Sequence, residues 1–190
     1  VQYHFMAGSV DRPGAPMHDF PGASIACVPC RPESRGWIRI RSADPADPPR
    51  IQPNYLATEN DRTTLIEGLR IARRLFETAA MRPFFAREAM PGPAIQTDED
   101  WLAYIRAKAG TGFHASGTCR MGSDPMAVVD PALRVRGVGA LRVVDASVMP
   151  TVVSGNTNAA TIMIAEKAAD MILRTGAAET LATQSLERSA

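Results

Sequence analysis

"LRVVDASVMPTVVSGNTNAATIMIAEKAADMI", residues 141 to 172, reads as strand, loop and helix in that order. "LRVVDAS" has the β-branched run of a strand, and "SGNTN" is a loop of small polar residues. The segment from 158 to 174 is the chain's strongest helix: Ile162, Ile164, Ala165, Ala169 and Ile172 leave it mostly apolar all round, so it is expected to be buried. Asn158 or Asn156 can cap its start, and Gly176 follows its end, which leaves 176–190 as a polar tail expected to fray. Just upstream, "DPALRVRGVG" reads as a short strand and a turn. Its "GVGALR" fails as a nucleotide loop, because it precedes a strand and has two glycines where the dinucleotide fingerprint follows a strand and has three.

Further upstream, "GFHASGTCRMG" (112–122) sets His114 among small residues whose glycines permit tight turns. A histidine in such a setting serves more often as a hydrogen-bonded structural residue than as a base. Cys119 and Met121 read as packing and Arg120 as an ion-pair partner. "TDEDWLAYIRAKA" is a helix capped by Thr97 or Asp98, with acids in its first turn. Before it lie the Pro/Gly loop "AMPGPA" and a helix over roughly 60–80, where Leu65, Ile66, Leu69, Ala72, Leu75 and Phe76 recur at helical spacing until "RPFF" ends it. "ADPADPPRIQPNY", with Pro45, Pro48, Pro49 and Pro53, is an extended connector. Strands are expected at 1–6, 24–30 and 36–42, the last alternating apolar and basic residues as a half-solvated strand does.

The charge balance, 21 Lys plus Arg against 20 Asp plus Glu, offers no basic stripe for nucleic acid. No apolar run reaches the roughly eighteen residues of a membrane helix, so no transmembrane segment is expected. The start "VQYHFM" carries no initiator methionine, signal or transit segment, as though the sequence began inside a fold. Three cysteines make a disulfide framework unfavourable and suit a reducing, cytoplasmic setting. In "CVPC" the thiols of Cys27 and Cys30 sit on a strand stopped by prolines, not at the helix start a redox pair uses, and nearby His4 and His18 have the wrong spacing for structural zinc. Buried thiols, and no metal, are the better reading.

Residues 114–172, from "HASGTCRMGSDP" to "NAATIMIAEKAADMI", resemble the C-terminal region of the glucose-methanol-choline (GMC) flavin oxidoreductases, in particular the choline-dehydrogenase-like branch. "RPESRGWIRIRSADPADPPRIQPNYL" (31–56) is similar to the family's substrate-domain segment. The resemblance implies an α+β fold. Residues 1–113 would form part of an antiparallel substrate-binding domain with helices. Residues 114–175 would hold the catalytic loop and the last strand and helix of a discontinuous α/β FAD-binding domain. The family's glycine-rich ADP-binding unit is absent from this chain. By resemblance, the catalytic positions fall on His114 and Asn156, and the FAD-contacting positions on Asp145, Ala146, Asn156, Thr157 and Asn158, with Ser147 completing the DAS element. His4 and His18 precede the RPESRG segment, in a region that edges the family's substrate pocket.

The chemistry asks for such residues. Flavin-dependent alcohol oxidation removes a hydroxyl proton and transfers a hydride to flavin N5. A histidine suits the first step, and an asparagine amide can hold the alcohol oxygen without competing for the proton. A helix N-terminus running from Asn156 into Ala160 would favour the negative charge of reduced flavin. The implied partners are a small-molecule alcohol, an electron acceptor (oxygen, a quinone or another carrier), and the N-terminal FAD-binding part, in the same enzyme or a companion chain. The alternative is a truncated, non-enzymatic remnant that binds no flavin alone. No GxSxG elbow or paired-carboxylate motif supports hydrolase chemistry.

Overall fold

The computed structural model describes residues 1–12 and 14–187, without the side chains of 175–187, and divides into two compact units, Val1–Phe113 and His114–Ala190. In the first, β1 (Gln2–Met6) pairs antiparallel with β2 (Ser24–Val28), with Tyr3 opposite Cys27 and Phe5 opposite Ile25. β2 stops where Pro29 withdraws a donor. β3 (Trp37–Arg39) pairs with β4 (Arg50–Gln52), a strand hidden in the proline-rich connector. Only three residues escape between Pro49 and Pro53, enough for an edge ladder and too few for a periodicity. The expected half-burial of 36–42 does not hold: Ile38 is 46% exposed, Ile40 88% and Ile51 66%.

α1 (Glu59–Phe76) ends four residues before the expected boundary, because the Thr78 hydroxyl donates to the Leu75 carbonyl at 2.8 Å and the Glu77 N–H to that of Arg74 at 3.1 Å, satisfying the last turn. α2 (Asp98–Lys108) starts on a capping box, Thr97 accepting from the Asp100 N–H while the Asp100 carboxylate accepts from that of Thr97. The two helices enclose a core of Leu65, Ile66, Trp101 and Ile105. Burial of each such side chain is worth about 1.5–3 kcal/mol.

A buried carboxylate and a half-buried guanidinium tie loops to this core. The Asp61 carboxylate accepts from the backbone N–H of Glu33 and of Ser34, each at 2.8 Å, and so fastens "RPES" to the first turn of α1. Burial alone would raise its pKa, but the hydrogen bonds from Ser34, Glu33 and Thr58 outweigh it and hold the carboxyl below its usual range. Arg73 donates to the Ile95 carbonyl at 2.8 Å, to that of Gly92 at 3.2 Å and to Glu88, while its guanidinium lies 4.4 Å over the Trp101 ring. The Cys27 thiol faces Gly68, where a Cβ would come within 2.3 Å of the sulfur, and burial pushes its pKa up to about 11. It is packed and protonated, not a reactive thiolate.

The second unit holds one helix, α3 (Asn158–Glu187), against an irregular braid. No strand forms at 141–147; Arg142 makes only an isolated bridge to Arg134. The chain bends through positive φ at Leu133, Gly137 and Ala140, which breaks the ladder on both sides, and Asp145 accepts from the Ser147 N–H at 2.7 Å, curling "DAS" into a 3-10 turn over Ala146–Val148. Val129, Leu133, Val148 and Met149 pack with Ile164 and Ala168 of α3 as the core. Among the residues whose side chains are described, the helix is buried along that stripe, while Ile162, Met163, Ile172 and Leu173 are exposed in this chain, contrary to the all-round burial expected. Nor does α3 end at Gly176. It runs on to Glu187 through the stretch expected as a polar tail, where alanines, leucines and glutamates outweigh the roughly 1 kcal/mol that a helical glycine costs.

Candidate active site

The loop from His114 to Met121 is laid along the 3-10 turn by two backbone bonds, Cys119 N–H to the Ser147 carbonyl at 3.1 Å and Met121 N–H to that of Val148 at 2.8 Å. Gly117 has φ +86, and a Cβ there would lie 3.5 Å from the Met149 carbonyl oxygen. Arg120 grips Asp124 with both terminal nitrogens, at 2.8 and 2.7 Å, closing the far end of the loop. That hydrogen bond, more than simple charge attraction, pulls the Asp124 carboxyl far below its usual range.

This frame carries His114 to the start of α3. Asn156 Nδ2 donates to His114 Nε2 at 2.8 Å, joining residues 42 apart in sequence. On the other side of the ring, His114 Nδ1 lies 2.9 Å from Thr157 Oγ1 and 3.4 Å from the Thr157 backbone nitrogen. Thr157 is 8% exposed, Asn156 is exposed and His114 lies between, so the ring is anchored from the inside and open on the Asn156 side.

Thr157 stands at the N-cap position of α3, directly ahead of its first residue: its carbonyl accepts from both the N–H and the hydroxyl of Thr161, each at 2.9 Å. Its own hydroxyl is turned to the histidine. With that hydroxyl on the ring, the Thr157 side chain is not turned to the first N–H groups of α3, and the positive end of the helix dipole lies beside the His–Asn pair.

The structure therefore brings His114, Asn156 and Thr157 into direct contact. Asp145 and Ala146 sit in the adjoining turn, the Asp145 carboxylate engaged with the N–H and hydroxyl of Ser147. Asn158 is exposed on the first turn of α3. In the other unit, His4 on β1 pairs with Ala26 of β2, while His18 contacts Ser9 Oγ at 2.9 Å and stacks on Phe20. Among the described residues no group of three or more His, Cys, Asp or Glu could hold a metal, and no helix is long and apolar enough to cross a membrane.

Residues 32–165 match the family model of the GMC oxidoreductases. The chain belongs to that family. Among curated GMC relatives, an alcohol dehydrogenase [acceptor] from Pseudomonas putida is 47% identical over 92% of this chain and 32% of its own length, and human mitochondrial choline dehydrogenase is 49% identical over 90% and 29%. The chain thus spans about a third of the length of these relatives. Pyridoxine 4-oxidase from Mesorbium loti superposes with a TM-score of 0.74 at 34% identity, over 82% of this chain and 30% of that one; a formate oxidase gives 0.75 at 30%, over 85% and 29%. The α+β arrangement is that of solved GMC enzymes.

Proposed function

We propose that this chain is the C-terminal catalytic portion of an FAD-dependent alcohol oxidoreductase, in which His114 is the proton acceptor and Asn156 orients the alcohol. The observation that carries the reading is the 2.8 Å contact between His114 Nε2 and the exposed Asn156 amide, ahead of the start of α3. His114–Glu187 would complete a FAD-binding domain and 1–113 part of a substrate domain. The electron acceptor is oxygen or a carrier such as a quinone.

The donor set suits FAD. The Asn156 amide and the Thr157 backbone N–H lie against the histidine, the Asp145 carboxylate is occupied, and the helix dipole favours negative charge. Asn156, Asn158, Ala146 and the first N–H groups of α3 are the groups that would hold the flavin. When bound, FAD accepts the two electrons that leave the carbinol carbon as hydride.

The rest falls to the chain's own side chains. In the resting pair the Asn156 N–H covers the lone pair of Nε2. An incoming hydroxyl displaces it and donates to Nε2, which frees the amide N–H for the alcohol oxygen. As the O–H bond breaks, the proton forms an N–H bond at Nε2. The ring then donates on that side, so the amide can no longer return to it and stays on the substrate oxygen. The product leaves as a carbonyl.

The test is stopped-flow flavin reduction in the complete, flavin-loaded enzyme, normalised to bound FAD. His114→Ala should slow it roughly 10²–10⁴-fold with FAD retained. Asn156→Ala should slow it while keeping the His114-dependent rise with pH. A normal rate in flavin-loaded His114→Ala would end the assignment.

A further inference from the structure

We infer that Thr157 is a positioning residue for His114: its buried hydroxyl accepts the Nδ1 proton and thereby keeps Nε2 a bare lone pair on the Asn156 side. The inference rests on the reading of His114 as proton acceptor, and it concerns a residue for which the sequence suggested only a cofactor contact.

A neutral imidazole carries one proton on its two nitrogens. Nε2 receives the Asn156 amide N–H at 2.8 Å, so it is the unprotonated nitrogen, and the proton sits on Nδ1. The group best placed to accept it is Thr157 Oγ1 at 2.9 Å. The Thr157 backbone N–H also points at Nδ1, but 3.4 Å is the outer edge of a hydrogen bond, and that contact would demand the opposite tautomer. Without an acceptor at Nδ1 the ring would relax to the Nε2–H form that imidazole favours in water, and the acceptor position facing Asn156 would be lost. The hydroxyl is well held for the task. Thr157 is 8% exposed, its backbone is fixed as the cap of α3, and its β-branch restricts χ1. A hydroxyl also orients the ring without placing a second charge beside it, unlike the carboxylate that fills this role in Ser-His-Asp triads.

The test compares wild type, Thr157→Val and Thr157→Ser in two measurements. In the flavin-loaded complete enzyme, 15N chemical shifts of the imidazole of His114, assigned by its loss in His114→Ala, report the tautomer at alkaline pH. Wild type and Thr157→Ser should be Nδ1–H, and Thr157→Val should revert to Nε2–H with unchanged far-UV circular dichroism. In the flavin-loaded complete enzyme, Thr157→Val should lower the limiting rate of flavin reduction roughly 10–100-fold with little change in alcohol Kd, and Thr157→Ser should restore it. An Nε2–H wild type, or a valine variant that keeps both the Nδ1–H tautomer and the rate, overturns the inference. Failure of the proton-acceptor reading looks different: the tautomer still follows residue 157, while flavin-loaded His114→Ala reduces at the normal rate.

Discussion

Replacing Asp61 by alanine should cost the first unit about 2–4 kcal/mol near neutral pH. Two carboxylate oxygens each accept a backbone N–H at 2.8 Å, and charge-assisted bonds of this kind contribute roughly 1.5–3 kcal/mol apiece. The sum is discounted because Glu33 is exposed and Ser34 only half-buried, so water can replace part of what is lost. Asp61→Asn is the sharper variant. Its size is the same, but one of its two terminal atoms becomes a donor facing an N–H. The sign with pH follows from the lowered carboxyl pKa: the contribution is fully present above the unfolded value of about 3.9 and fades as pH falls through the lower folded value. The stability gap between wild type and Asp61→Asn should therefore be widest near pH 6–7 and narrow steadily once the pH falls below the unfolded value of about 3.9. Urea unfolding followed by Trp101 fluorescence in a Trp37→Phe background reports this unit, since Trp101 is 1% exposed in its core. Amide exchange at Ser34 gives a local readout. A gap under about 0.5 kcal/mol at pH 7, or one unchanged between pH 7 and pH 3, would refute the role given to this carboxylate.

Arg73→Lys keeps the charge but not the planar fork that reaches two carbonyls and Glu88 while lying on Trp101. It should destabilise the first unit by about 1–3 kcal/mol, seen as a lower urea midpoint, and speed proteolytic cutting within 86–97; cleavage at the wild-type rate would count against it. The 190-residue chain by itself should retain little FAD through gel filtration, since it carries no glycine-rich loop to receive the pyrophosphate. With Ile162, Met163, Ile172 and Leu173 exposed on α3, it should also self-associate, and a monodisperse yellow sample with one FAD per chain would contradict both expectations.

What could be read from the sequence depended on whether its cause was local. The capping box of α2 is written within four consecutive positions, Thr97 to Asp100, and α1 in an apolar period, so both helices are legible without a structure. β4 is not, because a three-residue ladder has no period and its flanking prolines argue against any strand. The strand expected at 141–147 was misread for a related reason. β-branched residues mark a chain that wants extended φ and ψ, but the side chain of Asp145 competes for the Ser147 N–H, and the bends at Leu133 and Ala140 limit the pairing to the isolated bridge between Arg142 and Arg134.

The site divides along the same line. Its polar members stand out because a histidine among glycines and asparagines before an apolar helix are unusual company, and the resemblance put His114 and Asn156 in one catalytic pair. The contacts that make the pair work are between distant positions and leave no trace in either neighbourhood. Thr157 looks like any residue ahead of a helix, and only the fold turns its hydroxyl away from the helix it caps and onto Nδ1. That choice has a cost, since the first N–H groups of α3 lose the side-chain acceptor an N-cap threonine normally gives them. Helix stability alone would favour the hydroxyl pointing back at those N–H groups. Its commitment to the histidine takes that acceptor from the helix end beside the Asn156 amide. In the proposed reaction Thr157 would thus serve the ring, a bare Nε2 for the proton, at the expense of its own helix.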